Sequence, residues 1–416
     1  MLHSIFPRAY HRFLSLPLLG RVANGFDDWL AVNGYTRRSR KHAIQLLAHI
    51  DGDLRRRGTR EVTSLSHVIL DDCWRDRNKL IPGDAGTIRA LERYLTTNGM
   101  IRAETAGAPA DSAAAVLANE YGNYLREVRG FAVSTIQHRQ YVCRCFLDYL
   151  DATKVSLGLI QRSDLEMYIL QAGKRLNRAS LQQETAALRG FLRFLAMDGR
   201  VAHGLDRQID TPRIYKHEQL PRALPWDTVQ ALLRSIDTTS AVGLRDYAML
   251  LLIATYGLRA SEVVVMTLDD IHWREGSLRI QQPKTSSSLE LPLTNEVAAA
   301  IVKHLKRTPP QAPHRRMFLR MHAPIGVLKP TAISEAFCSM VRKSGLSIPY
   351  HGPHCLRHSL AVQLLNNGTP LKTIGDILGH RTAESTSTYL RLATGDLREV
   401  ALAVPGKTRF HKAVRP

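Results

Sequence analysis

The sequence predicts a mainly α-helical protein with one small antiparallel β-sheet: two helical bundles in series, followed by a mixed α+β domain. Three observations carry this reading. Apolar residues recur at i, i+4 and i+8 through much of the first two hundred positions, the spacing of amphipathic helices. Residues 276–293 alternate instead, the pattern of a β-hairpin. The length, 416 residues, exceeds one compact domain and fits two or three. A hydrophobic share of 44% and a charged share of 23% belong to a folded chain, which excludes a disordered tail, a collagen and a coiled-coil rod.

Near the N-terminus, basic residues precede Phe13-Leu14-Ser15-Leu16-Pro17-Leu18-Leu19. This apolar run is short, broken by proline and followed by Arg21 without a small-residue cleavage site, unlike a secretory signal. Two stretches read as linkers. Residues 103–114 are small, contain Pro109 and lack an apolar period. Residues 206–225 carry Pro212, Pro221 and Pro225 among charged residues, which breaks any helix there. The expected pieces are therefore 1–105, 106–215 and 216–416. Their net charges are +6 (17 basic, 11 acidic), +3 (14 and 11) and +11 (26 and 15).

The first two pieces resemble each other. Trp29-Leu30 answers Tyr124-Leu125, and at an offset of 96 Tyr35 answers Phe131. The same offset pairs Leu46, Ile50 and Leu54 with Val142, Phe146 and Leu150, and Ile69 with Leu165. After a small gap, Ile88-Arg89, Arg93, Tyr94-Leu95 and Gly99 match Leu188-Arg189, Arg193, Phe194-Leu195 and Gly199. Four matched segments ending on the same glycine favour a duplication of a bundle of about four helices. In the third piece, Pro225-Trp226-Asp227 opens a helix through Leu233, and Arg245 to Thr255 is a second, largely buried one. Leu278 and Ile280, then Leu289, Leu291 and Leu293, form the hairpin arms around Pro283-Lys284-Thr285 and three serines. Helical patterns resume at Glu296.

The charge narrows the function. Fifty-seven Lys and Arg against 37 Asp and Glu give +20 and a pI near 10.1, an excess that usually meets a polyanion. A membrane span is not expected, because the longest apolar stretch, Tyr247 to Leu258, is about half the length a bilayer needs. Cys73, Cys143, Cys145, Cys338 and Cys355 form neither a disulfide framework nor a paired CxxC pattern, as for reduced thiols in a cytoplasmic protein. Cys143 and Cys145 lie on a helix stripe and read as packing.

Six polar residues stand in a specific order. Arg259 lies in Thr-Tyr-Gly-Leu-Arg-Ala-Ser-Glu and Lys284 in the hairpin. His354 and Arg357 share one helix face in His-Cys-Leu-Arg-His. His380 lies in Leu-Gly-His, and Tyr389 follows Thr-Ser-Thr. This ordered set resembles the tyrosine recombinase (phage integrase) family over about 106–416, most strongly over 250–392. The resemblance implies two N-terminal helical-bundle (SAM-like) domains and an α+β tyrosine-recombinase catalytic domain. It also implies a site-specific DNA recombinase that breaks and rejoins double-stranded DNA.

The residue types suit that chemistry. Two guanidiniums clamp the oxygens of a pentacoordinate phosphoryl group better than lysines would, and preorganised charge of this kind is often the largest catalytic term. By resemblance, Arg259 and Arg357 are the clamp and Glu262 orients the site. His354 is the base for Tyr389, a phenol whose ordinary pKa of about 10 makes it a poor nucleophile unaided. Lys284 protonates the leaving 5′ oxygen, and His380 donates to the phosphate. The product is a 3′-phosphotyrosyl link, so no metal, ATP or other cofactor is expected. The sequence departs from the family where Ser286, Ser287 and Ser288, rather than more basic residues, follow Lys284.

His351, His354 and His358 carry a weaker metal-site reading; it lacks the Glu of a zinc protease helix, and Arg357 repels a cation. The Thr/Ser run and Arg391 predict an exposed, mobile segment around Tyr389. Arg37, Arg38, Arg40 and Lys41, at the start of a predicted helix, are candidate phosphate contacts. The family also implies a homotetramer on two synapsed duplexes, with residues 393–416 docking on the next subunit. A cytoplasmic, nucleoid-associated enzyme of a mobile element is the expected setting. A type IB topoisomerase, a DNA-binding regulator with decayed catalysis and a structural DNA-bridging protein stay open as rivals.

Overall fold

The computed structural model describes residues 2–101, 113–215, 220–282, 287–308, 315–380 and 382–392. They form two compact units, Met1–Asp27 with Lys41–Glu218 and Asp28–Arg40 with Gln219–Pro416. Among the described residues, no helix is long and apolar enough to cross a membrane. Lys284, Arg381 and the segment 393–416 lie outside the described residues, as does most of the expected linker 103–114.

Two short helices, α1 (Leu2–Ile5) and α2 (Tyr10–Leu14), open the chain; neither is long enough to show a period in the sequence. Then come α3 (Gly20–Val32), α4 (Arg37–Arg56), α5 (His67–Leu80) and α6 (Pro82–Thr97). The start of α3 is closed by Asp51, whose buried carboxylate accepts the N–H groups of Leu18 (2.9 Å) and Leu19 (2.7 Å). Helices α7 (Ala113–Glu127), α8 (Val133–Thr153), α9 (Arg162–Gly173) and α10 (Arg178–Met197) follow. Local capping sets their ends: Asp164 accepts the Gln161 N–H at 2.8 Å, and Asn177 accepts the Ser180 N–H at 2.9 Å. Phe146, Leu150, Leu165, Leu188, Phe191 and Leu195 form the centre of this bundle.

The series α3–α6 and α7–α10 run in parallel down to single residues. Each has a long second helix and then a 3-10 turn, Val62–Ser64 in one and Leu157–Leu159 in the other. After the second helix, the Thr59 N–H reaches the Leu54 carbonyl (3.1 Å), and the Val155 N–H reaches that of Leu150 (2.9 Å). Both turns need a left-handed residue, Gly58 (φ 87°) in the first and Lys154 (φ 58°) in the second. Both series end on a left-handed glycine, Gly99 and Gly199, with the next N–H returned to Leu95 and Leu195.

The second unit is built on α12 (Ala241–Tyr256), which is preceded by α11 (Trp226–Arg234) and buried along nearly its whole length. It starts four residues before the expected Arg245 because Ser240 caps it, accepting the Gly243 N–H at 3.0 Å. Next come α13 (Ala260–Val265) and a three-stranded antiparallel sheet of β1 (Ile271–His272), β2 (Ser277–Gln282) and β3 (Ser287–Pro292). The register pairs Leu278 with Leu291 and Ile280 with Leu289, so Leu278 and Ile280 face the core on alternate positions. The Tyr256 hydroxyl donates to the Pro292 carbonyl (2.8 Å) and accepts the Thr294 N–H (3.0 Å), tying the end of α12 to the end of β3.

Helices α14 (Asn295–Arg307), α15 (Pro330–Ser344), α16 (His354–Asn366), α17 (Leu371–Leu378) and α18 (Ala383–Ser387) complete the unit, with a last 3-10 turn over Thr388–Leu392. The segment Asp28–Arg40 belongs to this unit, and the Ile325 N–H donates to the Asn33 carbonyl at 3.4 Å.

Candidate active site

Arg259 stands immediately before α13. The carboxylate of Glu262, 1% exposed, accepts the Arg259 backbone N–H at 2.8 Å and its Nη1 at 2.6 Å. This bidentate hold on one residue's backbone and side chain sets the direction of the guanidinium. A simple surface pair is excluded by the burial of Glu262. Arg357 lies one turn into α16, itself 2% exposed, and donates from Nη1 to the Gly257 carbonyl (2.5 Å) and from Nη2 to that of Leu378 (2.6 Å). Those carbonyls belong to the ends of α12 and α17, so one guanidinium stitches three helices together. Burial, and then the charge of Arg259, push Arg357 down to about 10; it remains a cation at neutral pH.

His380 follows α17. Gly379 before it has φ 62° and lies against the buried Gln282 side chain; a Cβ there would sit 2.1 Å from Gln282 Nε2. Gln282 is the last residue of β2, so the stem of the lysine-bearing hairpin abuts the His380 segment. His380 Nδ1 is 2.9 Å from Thr386 Oγ1. Its ring stacks 6.3 Å from that of Tyr389.

Tyr389 is 2% exposed, packed among Leu360, Ala361, Ile374 and Leu378. The tyrosine itself departs from the expectation of an exposed segment, while residues 382–385 before it and Leu390 after it are exposed. The Thr/Ser run forms α18 instead of a solvated loop, and Thr386 turns inward to His380. Polar residues that satisfy one another internally carry a neighbouring aromatic into the core. The Tyr389 hydroxyl meets His358 Nδ1 at 3.0 Å. His354 and His358, i and i+4 on α16, touch edge to face with centroids 4.5 Å apart. His354 is exposed at the mouth of a cleft of about 450 Å³ that Arg222, Tyr350, His351, Cys355 and His358 also line.

Burial and the two arginines set the electrostatics of the site. Burial, followed by the charges of His354 and Arg357, pushes His358 down to about 4. Burial, then Arg357 and Arg259, does the same to His380. Burial raises the Tyr389 phenol, against the opposing pull of Arg357 and Arg259. In the DNA-free protein at pH 7, both rings are therefore neutral and the phenol keeps its proton.

Residues 222–395 match the phage integrase family, and residues 118–199 match the phage integrase N-terminal SAM-like domain. The Sinorhizobium fredii protein y4rA, which carries an integrase/recombinase name, is 32% identical over 95% of this chain and 98% of its own length. The tyrosine recombinase XerD of Listeria monocytogenes is 30% identical over 68% of this chain and 96% of its own. The chain belongs to the phage integrase family. Solved members share the fold. The Tn1549 transposon integrase, in complex with a circular intermediate DNA, has a TM-score of 0.54 at 17% identity, over 68% of this chain and 99% of that one. The XerH recombinase, in a post-cleavage complex with its difH substrate, has a TM-score of 0.53 at 18% identity, over 68% and 83%. By its sequence relatives the chain is a tyrosine recombinase.

Within this recombinase, Arg259, His354, Arg357, His380 and Tyr389 gather around α16 and α17, while Lys284 lies outside the described residues. Sequence reasoning missed His358 as a partner of the tyrosine and weighed it only as a metal ligand. Its signal was present: it sits four residues after His354, on the same helix face. Among the described residues, the group that draws potential metal ligands together is a different one, half-buried His272 with exposed Glu275 and Glu290 at the base of the hairpin. The cluster Arg37, Arg38, Arg40 and Lys41 opens α4. Arg37, Arg38 and Lys41 are exposed, and the Lys41 ammonium lies 5.8 Å over the Phe6 ring.

Proposed function

We propose that Tyr389 attacks a DNA phosphodiester, forms a 3′-phosphotyrosyl link and releases a 5′ hydroxyl, then reverses the step on a different strand end. The observation that carries this reading is a buried phenol, Tyr389, set in the field of two arginines, Arg357 and Arg259, whose charges oppose the burial that raises it. A buried guanidinium crowded by the charge of a second one is relieved by an anion, and a phosphate bridging the two gains most as its charge grows in the transition state. Arg259 and Arg357 hold the non-bridging oxygens. His354 takes the phenolic proton once the hydroxyl gives up its resting hydrogen bond to His358, Lys284 protonates the leaving oxygen, and His380 donates to the phosphate. The phosphotyrosyl bond conserves the phosphodiester energy, so the reaction runs without ATP or metal.

The catalytic piece is 216–416, the piece 106–215 clamps the opposite face of the duplex, and 1–105 is a second copy of that clamp that grips further DNA. Arg37, Arg38, Arg40 and Lys41 contact phosphates there. The working unit is a homotetramer on two paired duplexes, in the cytoplasm with the nucleoid. Mobile-element function, meaning integration, excision or transposition, is supported by the likeness to a transposon integrase and by the additional N-terminal piece, which dimer resolution does not require. The test uses nicked suicide duplexes from DNA flanking the gene, in EDTA. The wild-type chain is expected to give a denaturation-resistant protein–DNA adduct and Tyr389→Phe none, with equal DNA retention. An adduct of equal yield from Tyr389→Phe, or a strict need for a divalent metal, overturns the proposal.

A further inference from the structure

We infer that His358 is a positioning residue for the nucleophile: its Nδ1 accepts the hydrogen bond of the Tyr389 hydroxyl and holds that oxygen on the α16 face that carries Arg357. The inference rests on Tyr389 being the nucleophile. It starts from the needs of a buried phenol. Tyr389 is packed among Leu360, Ala361, Ile374 and Leu378, none of which can bond a hydroxyl, and a phenol taken out of water needs a polar partner. The partner present is His358 Nδ1, at 3.0 Å.

The direction of the bond follows from the ring's charge state. A neutral imidazole has one accepting and one donating nitrogen, whereas an imidazolium donates from both. Burial, with the guanidinium of Arg357 close by, keeps His358 neutral at pH 7. Neutrality allows two tautomers; with the ring's own proton on Nε2, Nδ1 accepts and the phenol, the stronger donor of the pair, donates. The ring cannot drift. It is held edge to face by His354, tilted against the Tyr389 ring with centroids 5.6 Å apart, and rooted one residue after the doubly bonded Arg357. The oxygen that must attack phosphorus and the guanidinium that must hold the phosphate are thereby referenced to adjacent residues of one helix. Orientation of this kind acts on the rate of the bound complex more than on binding.

Two measurements test this. In the free protein labelled with ¹⁵N-histidine, the His358 Nδ1 resonance is expected to shift in Tyr389→Phe, because an accepted hydrogen bond is lost; an unmoved resonance overturns the inference whether or not a DNA site is known. In the adduct assay at saturating duplex, His358→Phe is expected to slow covalent attachment about 30-fold, the scale of one lost orienting hydrogen bond. Half-saturating DNA concentration should stay near wild type, and Tm should fall by no more than the few degrees that one unpartnered buried hydroxyl costs. His358→Asn, whose amide oxygen can stand near the Nδ1 position, should recover to within about 3-fold. A folded His358→Phe as fast as wild type, or His358→Asn as slow as His358→Phe, overturns it. A wild-type adduct linked through a residue other than Tyr389 would instead remove the underlying reading and this inference with it.

Discussion

Arg357 shows why one residue type is demanded at one position. Its guanidinium already donates to the carbonyls of Gly257 and Leu378, and a planar fork has N–H groups left for a phosphate. A lysine brings one compact ammonium that cannot hold both carbonyls and reach the phosphate. Arg357→Lys is therefore expected to lower the cleavage rate by about 10²–10³ with near-normal DNA affinity, the scale of a lost preorganised donor; single-turnover adduct formation checks it. Lys154 makes the opposite point. It adopts φ 58° where the parallel turn has Gly58, a conformation that costs a side-chain-bearing residue about 1 kcal/mol. Lys154→Gly should raise stability by roughly 0.5–1 kcal/mol in a denaturant titration, because left-handed strain outweighs the added chain entropy of glycine here.

The elements that frame the site carry a pH signature. His358 on α16 and His380 after α17 are both pushed from an ordinary value of 6.5 down to about 4. Between those values the unfolded chain binds protons that the folded one does not, so stability falls as pH drops from about 6.5 and the contribution is gone near 4. Both rings are partly solvent-reached, which trims the effect. A Tm loss of roughly 5 °C between pH 7 and pH 4, most of it above pH 4.5, is expected by calorimetry; a flat Tm across that range would mean that both rings titrate in the fold as they do in the unfolded chain. These elements were unequally legible in the sequence. α4, α8, α10 and the hairpin show plainly, because a long apolar stripe or a strict alternation encodes them. α18 does not: its five residues, Ala383–Ser387, are too few for a period, and Thr386 belongs inside only because His380 is there to bond it. The burial of Tyr389 and its bond to His358 depend on that fold-back, which no local pattern records. The six ordered residues were legible for a different reason. Each task in phosphoryl transfer admits few residue types, so their order along the chain is informative before any contact is known.

Across the whole chain, the excess of positive charge and the doubled helical series point the same way. A chain of +20 gains affinity for DNA by releasing counterions, and each phosphate contact contributes about 0.9 to the slope of log K against log salt. Replacing Arg37, Arg38, Arg40 and Lys41 together with glutamine should flatten that slope by about two to four, with the adduct yield at low salt preserved. An unchanged slope would detach this cluster from DNA and leave the first helical series with some other role. The first series, with its turn at Gly58 matched to Lys154 and its end at Gly99 matched to Gly199, parallels the series covered by the SAM-like match at residues 118–199.

The most direct test of the account is the identity of the atom bonded to DNA. The trapped wild-type adduct would be digested with nuclease and trypsin, and the peptide carrying a nucleotide sequenced by mass spectrometry. A 3′-phosphonucleotide on Tyr389, with a free 5′ hydroxyl on the released strand, is the predicted result. A nucleotide on any other residue, or a 5′-phosphoryl link, would contradict it.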